Sequence, residues 1–139
     1  MPDVTTDAER VVTEYLRVIN EREFSTLSDL LAESFTFRSP TAGTVRGRGE
    51  FELYLREIVD GFSDFHVSVE EILADENLVM TESTVTGTHD GEFEGIPPTH
   101  RDVEFSEMAT FVVERGTLRE ERAYYDYHEV LRQLGLIDE

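Results

Sequence analysis

The first half of the chain carries apolar residues at helical spacing, whereas most of the second half alternates apolar and polar positions as strands do. Thr6-Asp-Ala-Glu9 forms a capping box that opens a helix to about Asn20, with Val11, Val12, Tyr15, Leu16 and Ile19 as its apolar stripe. A second short helix is predicted from Ser25 to Glu33. Phe35 to Pro40 reads as a short strand ended by proline, and the glycine-rich, arginine-bearing stretch from Thr41 to Gly49 as a loop near a pocket. Gly49 opens a third helix in which Phe51, Tyr54, Leu55 and Ile58 recur at i, i+3, i+4 and i+7, ending near Gly61. Strands follow over Phe65 to Ala74, Leu78 to His89, Val103 to Glu114 and Thr117 to Tyr127, with tight connections at Asp75-Glu-Asn77 and Arg115-Gly116. A last turn of helix from His128 to Leu134 stops at Gly135. The economical architecture is an α+β domain with helices packed on one face of a curved, mostly antiparallel sheet.

Alternation also assigns faces. On the second long strand, Val79, Thr81, Ser83, Val85, Gly87 and His89 share a parity that is small and apolar, so they are expected to face inward. His89 then ends the strand at a pocket mouth, inside the stretch Gly87-Thr-His-Asp-Gly-Glu-Phe-Glu-Gly-Ile-Pro-Pro-Thr-His-Arg101. A neutral imidazole there suits a general acid or base, or equally a histidine satisfied by backbone. On the last strand, unbroken alternation places Leu118, Glu120, Arg122, Tyr124 and Asp126 on one face. Asp126, beside tyrosines, reads either as a proton carrier with a raised pKa or as the N-cap of the terminal helix. Glu107 falls on the apolar parity of Phe105, Ala109, Phe111 and Val113, and a bulge is expected to spare it burial.

Composition narrows the class. At 139 residues with 39% hydrophobic content, and no repeat or linker, the chain fits one domain spanning 1–139. No apolar run approaches a membrane span and no leader pattern is visible, so a soluble, cytoplasmic protein is expected. The net charge is −19, and all twelve basic residues are arginine. Such a surface repels nucleic acid and anionic lipid. Acidic residues scattered through every segment, with lysine depleted, resemble the composition of salt-in halophiles. Zero cysteines exclude disulfides and thiolate zinc sites. Asp90, Glu92 and Glu94 alternate without the spacing of a calcium loop, and neither His66 nor His128 has a second histidine four residues on, so no metal site is expected.

Two blocks carry a family resemblance: Gly87 to Arg101, and Arg115-Gly-Thr-Leu-Arg-Glu-Glu-Arg-Ala-Tyr-Tyr-Asp-Tyr-His-Glu-Val-Leu-Arg-Gln-Leu-Gly135. Together they resemble the SnoaL-like polyketide cyclase (ester cyclase) family of the NTF2-like superfamily, over essentially the whole chain. The resemblance implies a cone-shaped α+β barrel wrapped round the N-terminal helix and enclosing a pocket. It also implies dimers or higher homo-oligomers, and aldol-type ring closure by an aspartate acid/base without metal or organic cofactor. Carried over, His89 matches the family's histidine and Asp126 its aspartate. Two positions depart: Glu121-Arg122 stand where many members have His-Trp, and Ser83 where tryptophan is common. Arg122 on the face of Asp126 would either lower that carboxyl's pKa or grip an anionic ligand. The expected site is therefore Asp126 and His89 as the acid/base pair, with Arg122, Tyr124, Tyr15, Ser83 and Phe93 as ligand contacts. The expected function is a cyclase or isomerase acting on a small polar carbonyl compound; the alternative is a non-catalytic binding or oligomerisation module.

Overall fold

A computed structural model describes residues 6–138. The order is α1 (Asp7–Glu21), α2 (Leu27–Leu30), β1 (Leu31–Ser39), β2 (Gly43–Arg46), α3 (Arg48–Gly61), β3 (His66–Asp75), β4 (Leu78–Thr88), β5 (Asp102–Glu114), β6 (Thr117–Tyr124) and α4 (Tyr127–Gln133). Thr6 caps α1 by accepting the Glu9 amide at 3.0 Å, as the capping box predicts. The predicted second helix is much shorter, a 3-10 turn followed by α2, because Leu31, Phe35 and Phe37 alternate into the core as a strand. The loop expected after Pro40 contains β2, which pairs antiparallel with β1 through Ser39↔Gly43 to Thr36↔Arg46.

The six strands lie in the order β2-β1-β6-β5-β4-β3, a curved, unclosed sheet. It is mixed but mostly antiparallel, as expected, with β1 running parallel to β6. Helices α1 and α3 fill the concave side, where Tyr15, Phe35, Phe37, Phe51 and Phe111 form an aromatic core. Each adjacent ring pair lies at centroid distances of 4.9–6.3 Å, the range in which tilted and edge contacts are favourable. Asn20 pins the end of α1 to β3 by exchanging two hydrogen bonds with the Val67 backbone, at 2.8 and 2.9 Å.

One irregularity decides which side chains enter the concave side. Val112 pairs with Glu120 but Val113 with Leu118, so Arg119 is an extra residue and β6 carries a bulge. Leu118 points in, and beyond the bulge the inward set becomes Glu121, Ala123 and Tyr125. Strand β5 has no matching bulge in its pairing with β4, where Leu78↔Val112 runs unbroken to Thr88↔Asp102. Glu107 therefore keeps its apolar parity and faces inward, contrary to the bulge expected for it.

Candidate active site

The concave side of the sheet encloses a two-lobed recess. The inner lobe lies under α1 and α3 and is walled by Tyr15, Phe37, Leu55, Val67, Glu107 and Glu121 among others. The outer lobe, about 640 Å³ counted to its open mouth, is walled by Phe62, His89, Phe93, Ile96, Val130 and Leu134 among others. Tyr54, Ile58, Phe65, Val85, Phe105 and Tyr125 line both lobes, so the two form one cleft with a shared waist. Almost every wall residue is aliphatic or aromatic, which gives its few polar groups a poorly solvated setting.

Two of those groups are carboxyls. Glu121 is 5% exposed, and its Oε1 accepts the Tyr15 hydroxyl at 2.5 Å. Burial, then the like charge of Glu107, pushes its pKa up to about 8, against the opposing hydrogen bond from Tyr15. Burial alone pushes Glu107 up to about 7. Tyr15 is fully buried, and its phenol is held well above the ordinary range by burial and by Glu121. A carboxyl that ionises near neutrality in an apolar cleft is suited to taking and returning protons.

The mouth is shaped by the loop between β4 and β5. His89 donates its amide to Arg101 O and accepts the His100 amide, closing the loop's base. Asp90 and Gly91 amides both reach Gly61 O at 3.0 Å, and a Cβ at Gly91 would come within 2.0 Å of Asp60 O, so only glycine permits this docking onto α3. Phe93 and Ile96 form a two-residue turn in which Glu94 and Gly95 both have positive φ. His89 is 1% exposed and its ring stacks on Phe62 at 5.0 Å. Its Nδ1 accepts the Thr99 amide at 3.2 Å, which places the proton of the neutral ring on Nε2. Burial lowers its pKa, with Asp90 opposing, so the imidazole is neutral at pH 7.

The residues singled out by sequence divide between the two sides of the sheet. Tyr15, His89 and Phe93 line the recess, while Ser83 is buried on the inward face of β4 and its hydroxyl has no partner among the described residues. Arg122, Tyr124 and Asp126 do not face inward, because the Arg119 bulge reverses the parity counted from Leu118. Arg122 lies on the outer face, bonded to Thr110 Oγ1 at 3.1 Å and 3.4 Å from Glu120. Tyr124 is 48% exposed there and accepts from Arg38. Asp126 is the exposed N-cap of α4, its Oδ1 accepting the Glu129 amide at 3.0 Å. It lines neither lobe, and Arg122 does not pair with it. Sequence reasoning passed over Glu121 and Tyr125 and assigned Glu107 to a bulge. The available signal was Glu121 at a family histidine position, together with the apolar parity of Glu107. Among the described residues no three His, Asp or Glu side chains gather as a metal-binding set.

A curved α+β sheet wrapped around helices, with a cleft opening at one end, defines an NTF2-like protein. Within that class, the chain belongs to the SnoaL-like polyketide cyclase family, whose family model matches residues 9–134. Similar solved structures include a SnoaL-like protein from Jannaschia sp. CCS1, 18% identical, covering 99% of this chain and 97% of that one at a TM-score of 0.87. IdmH from Streptomyces antibioticus is 27% identical over 94% of this chain and 99% of its own, at a TM-score of 0.81. An LEH-like epoxide hydrolase from M. tuberculosis is 24% identical over 94% of this chain and 90% of its own, at 0.75. Comparison with curated proteins gives no match.

Proposed function

We propose that the protein is an acid/base enzyme whose cleft binds a largely apolar, ring-bearing carbonyl compound and moves a proton on it through Glu107. The observation that carries this reading is the Glu107 carboxyl. It lines an apolar lobe, ionises near pH 7, and has no hydrogen-bonding partner among the described residues to occupy it. Glu121, held protonated at neutral pH and bonded to Tyr15, is the complementary proton donor. With Arg122 outside the sheet, nothing in the cleft favours the small polar or anionic substrate that the sequence suggested. The likeness to IdmH, described as a polyketide cyclase, supports a ring-bearing ligand.

The test uses a panel of bicyclic and tricyclic ketones, 2-tetralone among them, with deuterium exchange at the α-carbon followed by proton NMR in D2O. Exchange should exceed the buffer rate and climb as pH rises through about 7, where Glu107 becomes a base. Glu107→Gln should slow it by about 10²- to 10⁴-fold. Binding of the panel with no exchange above buffer would leave a binding module and defeat the enzymatic reading.

We also propose a homodimer built on the outer face of the sheet. Leu73, Leu78, Met80, Met108 and Tyr124 are each at least 39% exposed, and the strand register sets Leu73 beside Met80 and Met108 beside Tyr124. Sedimentation equilibrium checks it: Met108→Glu should shift the protein to monomer.

A further inference from the structure

Four hydroxyls meet where the two lobes join. Tyr54 comes from α3, Tyr125 follows β6, Ser39 ends β1, and Thr41 sits in the β1–β2 turn. Tyr54 and Tyr125 line both lobes, and Thr41 lines the outer one. Ser39 is buried and its Oγ accepts the Ala42 amide at 3.0 Å, which fixes the hydroxyl in place. From there it favours the ionised form of both phenols against their burial, and Thr41 Oγ1 shares a hydrogen bond with the Tyr125 hydroxyl. The charge of Glu107 reaches both phenols as well. One base and two neutral phenolic donors therefore border the same stretch of an otherwise apolar cleft.

We propose that the Tyr54–Ser39–Tyr125–Thr41 cluster is an oxyanion site that receives the ligand's carbonyl oxygen, making the substrate class an enolisable ketone. The assignment rests on Glu107 being the base. Its carboxylate takes the proton from the carbon next to the carbonyl, the C–H electron pair forms the new C=C bond, and the carbonyl π pair moves onto oxygen. The phenols donate to that oxygen without giving up their protons. Returning the proton from Glu107 to carbon completes exchange or isomerisation, with no other reactant consumed. Buried phenols suit this task, since burial raises the pKa of each and keeps it a donor. Alternatively, the same hydroxyls would be no more than a knot tying the β1–β2 turn to the end of β6, a role that needs no ligand.

Titration of bound 2-naphthol, read by its absorbance and fluorescence, separates the two. In a Glu107→Gln background, which removes the competing charge, the bound naphthol should ionise about one unit below its free value, as an anion stabilised by nearby donors does. Adding Tyr54→Phe and Tyr125→Phe, which keep both rings, should abolish that shift and slow ketone exchange in the Glu107 protein by about 100-fold. A bound naphthol whose ionisation is unchanged by these substitutions, or raised in the Glu107→Gln protein, overturns the proposal. Should the doubly substituted protein not fold, Thr41→Val carries the same test: a smaller shift supports the site, and an unaltered one overturns it. The two readings fail separately, because a lowered naphthol pKa without ketone exchange removes Glu107 as base while retaining the oxyanion site.

Discussion

Glu121 and Asp126 are five positions apart near the end of the chain, and the fold gives them opposite fates. Glu121 sits in mid-strand with its carboxyl sealed under α1, bonded to Tyr15 and ionising near pH 8. Asp126 stands at the rim, exposed, its carboxyl engaged by the first turn of α4. Neither residue type nor local sequence separates them, as both are carboxylates flanked by tyrosine or arginine. What separates them is the single unpaired residue Arg119, which rotates everything after it by one strand position. A one-residue bulge thus decides which carboxylate lines the cleft.

Inserting one residue between Glu120 and Glu121 is the most severe way to break that contrast. With the Arg119 bulge kept, the shifted alternation would turn Arg122 and Tyr124 into the core and expel Glu121 and Tyr125. The expected outcome is loss of cooperative unfolding, or destabilisation by several kcal/mol, because a charged guanidinium would be buried without a partner. Circular dichroism melts read it. An insertion protein of normal stability would mean that β6 absorbs the added residue as a second bulge, and the Arg119 bulge would then not set the parity by itself.

Next in size is the dependence of stability on pH. Glu107 and Glu121 have folded pKa values of about 7 and about 8, above the ordinary 4.5, so the folded state holds their protons more tightly than the unfolded chain. Their contribution is therefore fully present below about pH 4.5 and is lost as pH rises through 7 and 8. For Glu107 the difference is on the order of 3 kcal/mol across that window. The Glu107→Gln/Glu121→Gln protein should lose less stability than the parent between pH 5 and 8, measured by urea unfolding. Parallel pH profiles would show that these carboxyls are solvated.

How much of this was legible in the sequence depends on the range of the forces involved. The capping box of α1, the stripe of α3, the order of the long strands and the Gly87–Arg101 loop are local patterns, and each appears close to where it was expected. The family motif gave the fold and, with it, the cleft. The parity of the last strand was not legible, since the bulge at Arg119 exists only through the register with Val112 and Val113 on the neighbouring strand. Unbroken counting put Arg122 inside, and an interior arginine then demanded a polar substrate. Glu107 failed in the other direction: a carboxylate on an apolar parity was explained away, although the odd residue was the candidate base. The waist hydroxyls join three distant parts of the chain, the β1–β2 hairpin, α3 and the end of β6, so no spacing in the sequence announces them.

The smallest expected effect is the most discriminating for Asp126. Asparagine caps helices about as well as aspartate, whereas alanine loses the side-chain acceptor. As a cap, Asp126→Asn should leave stability and ketone exchange near the parent values, and Asp126→Ala should cost about 1 kcal/mol. In a protein of this size that lowers Tm by about 3 °C, with exchange per folded molecule unchanged. As a proton carrier, Asp126 would respond differently, since asparagine neither accepts nor releases a proton and would abolish exchange while preserving the melt. The exposed site and the 3.0 Å bond to the Glu129 amide favour the first outcome. Exchange lost in Asp126→Asn at full stability would return the chemistry to the rim of the cleft, where the unbroken alternation had placed it.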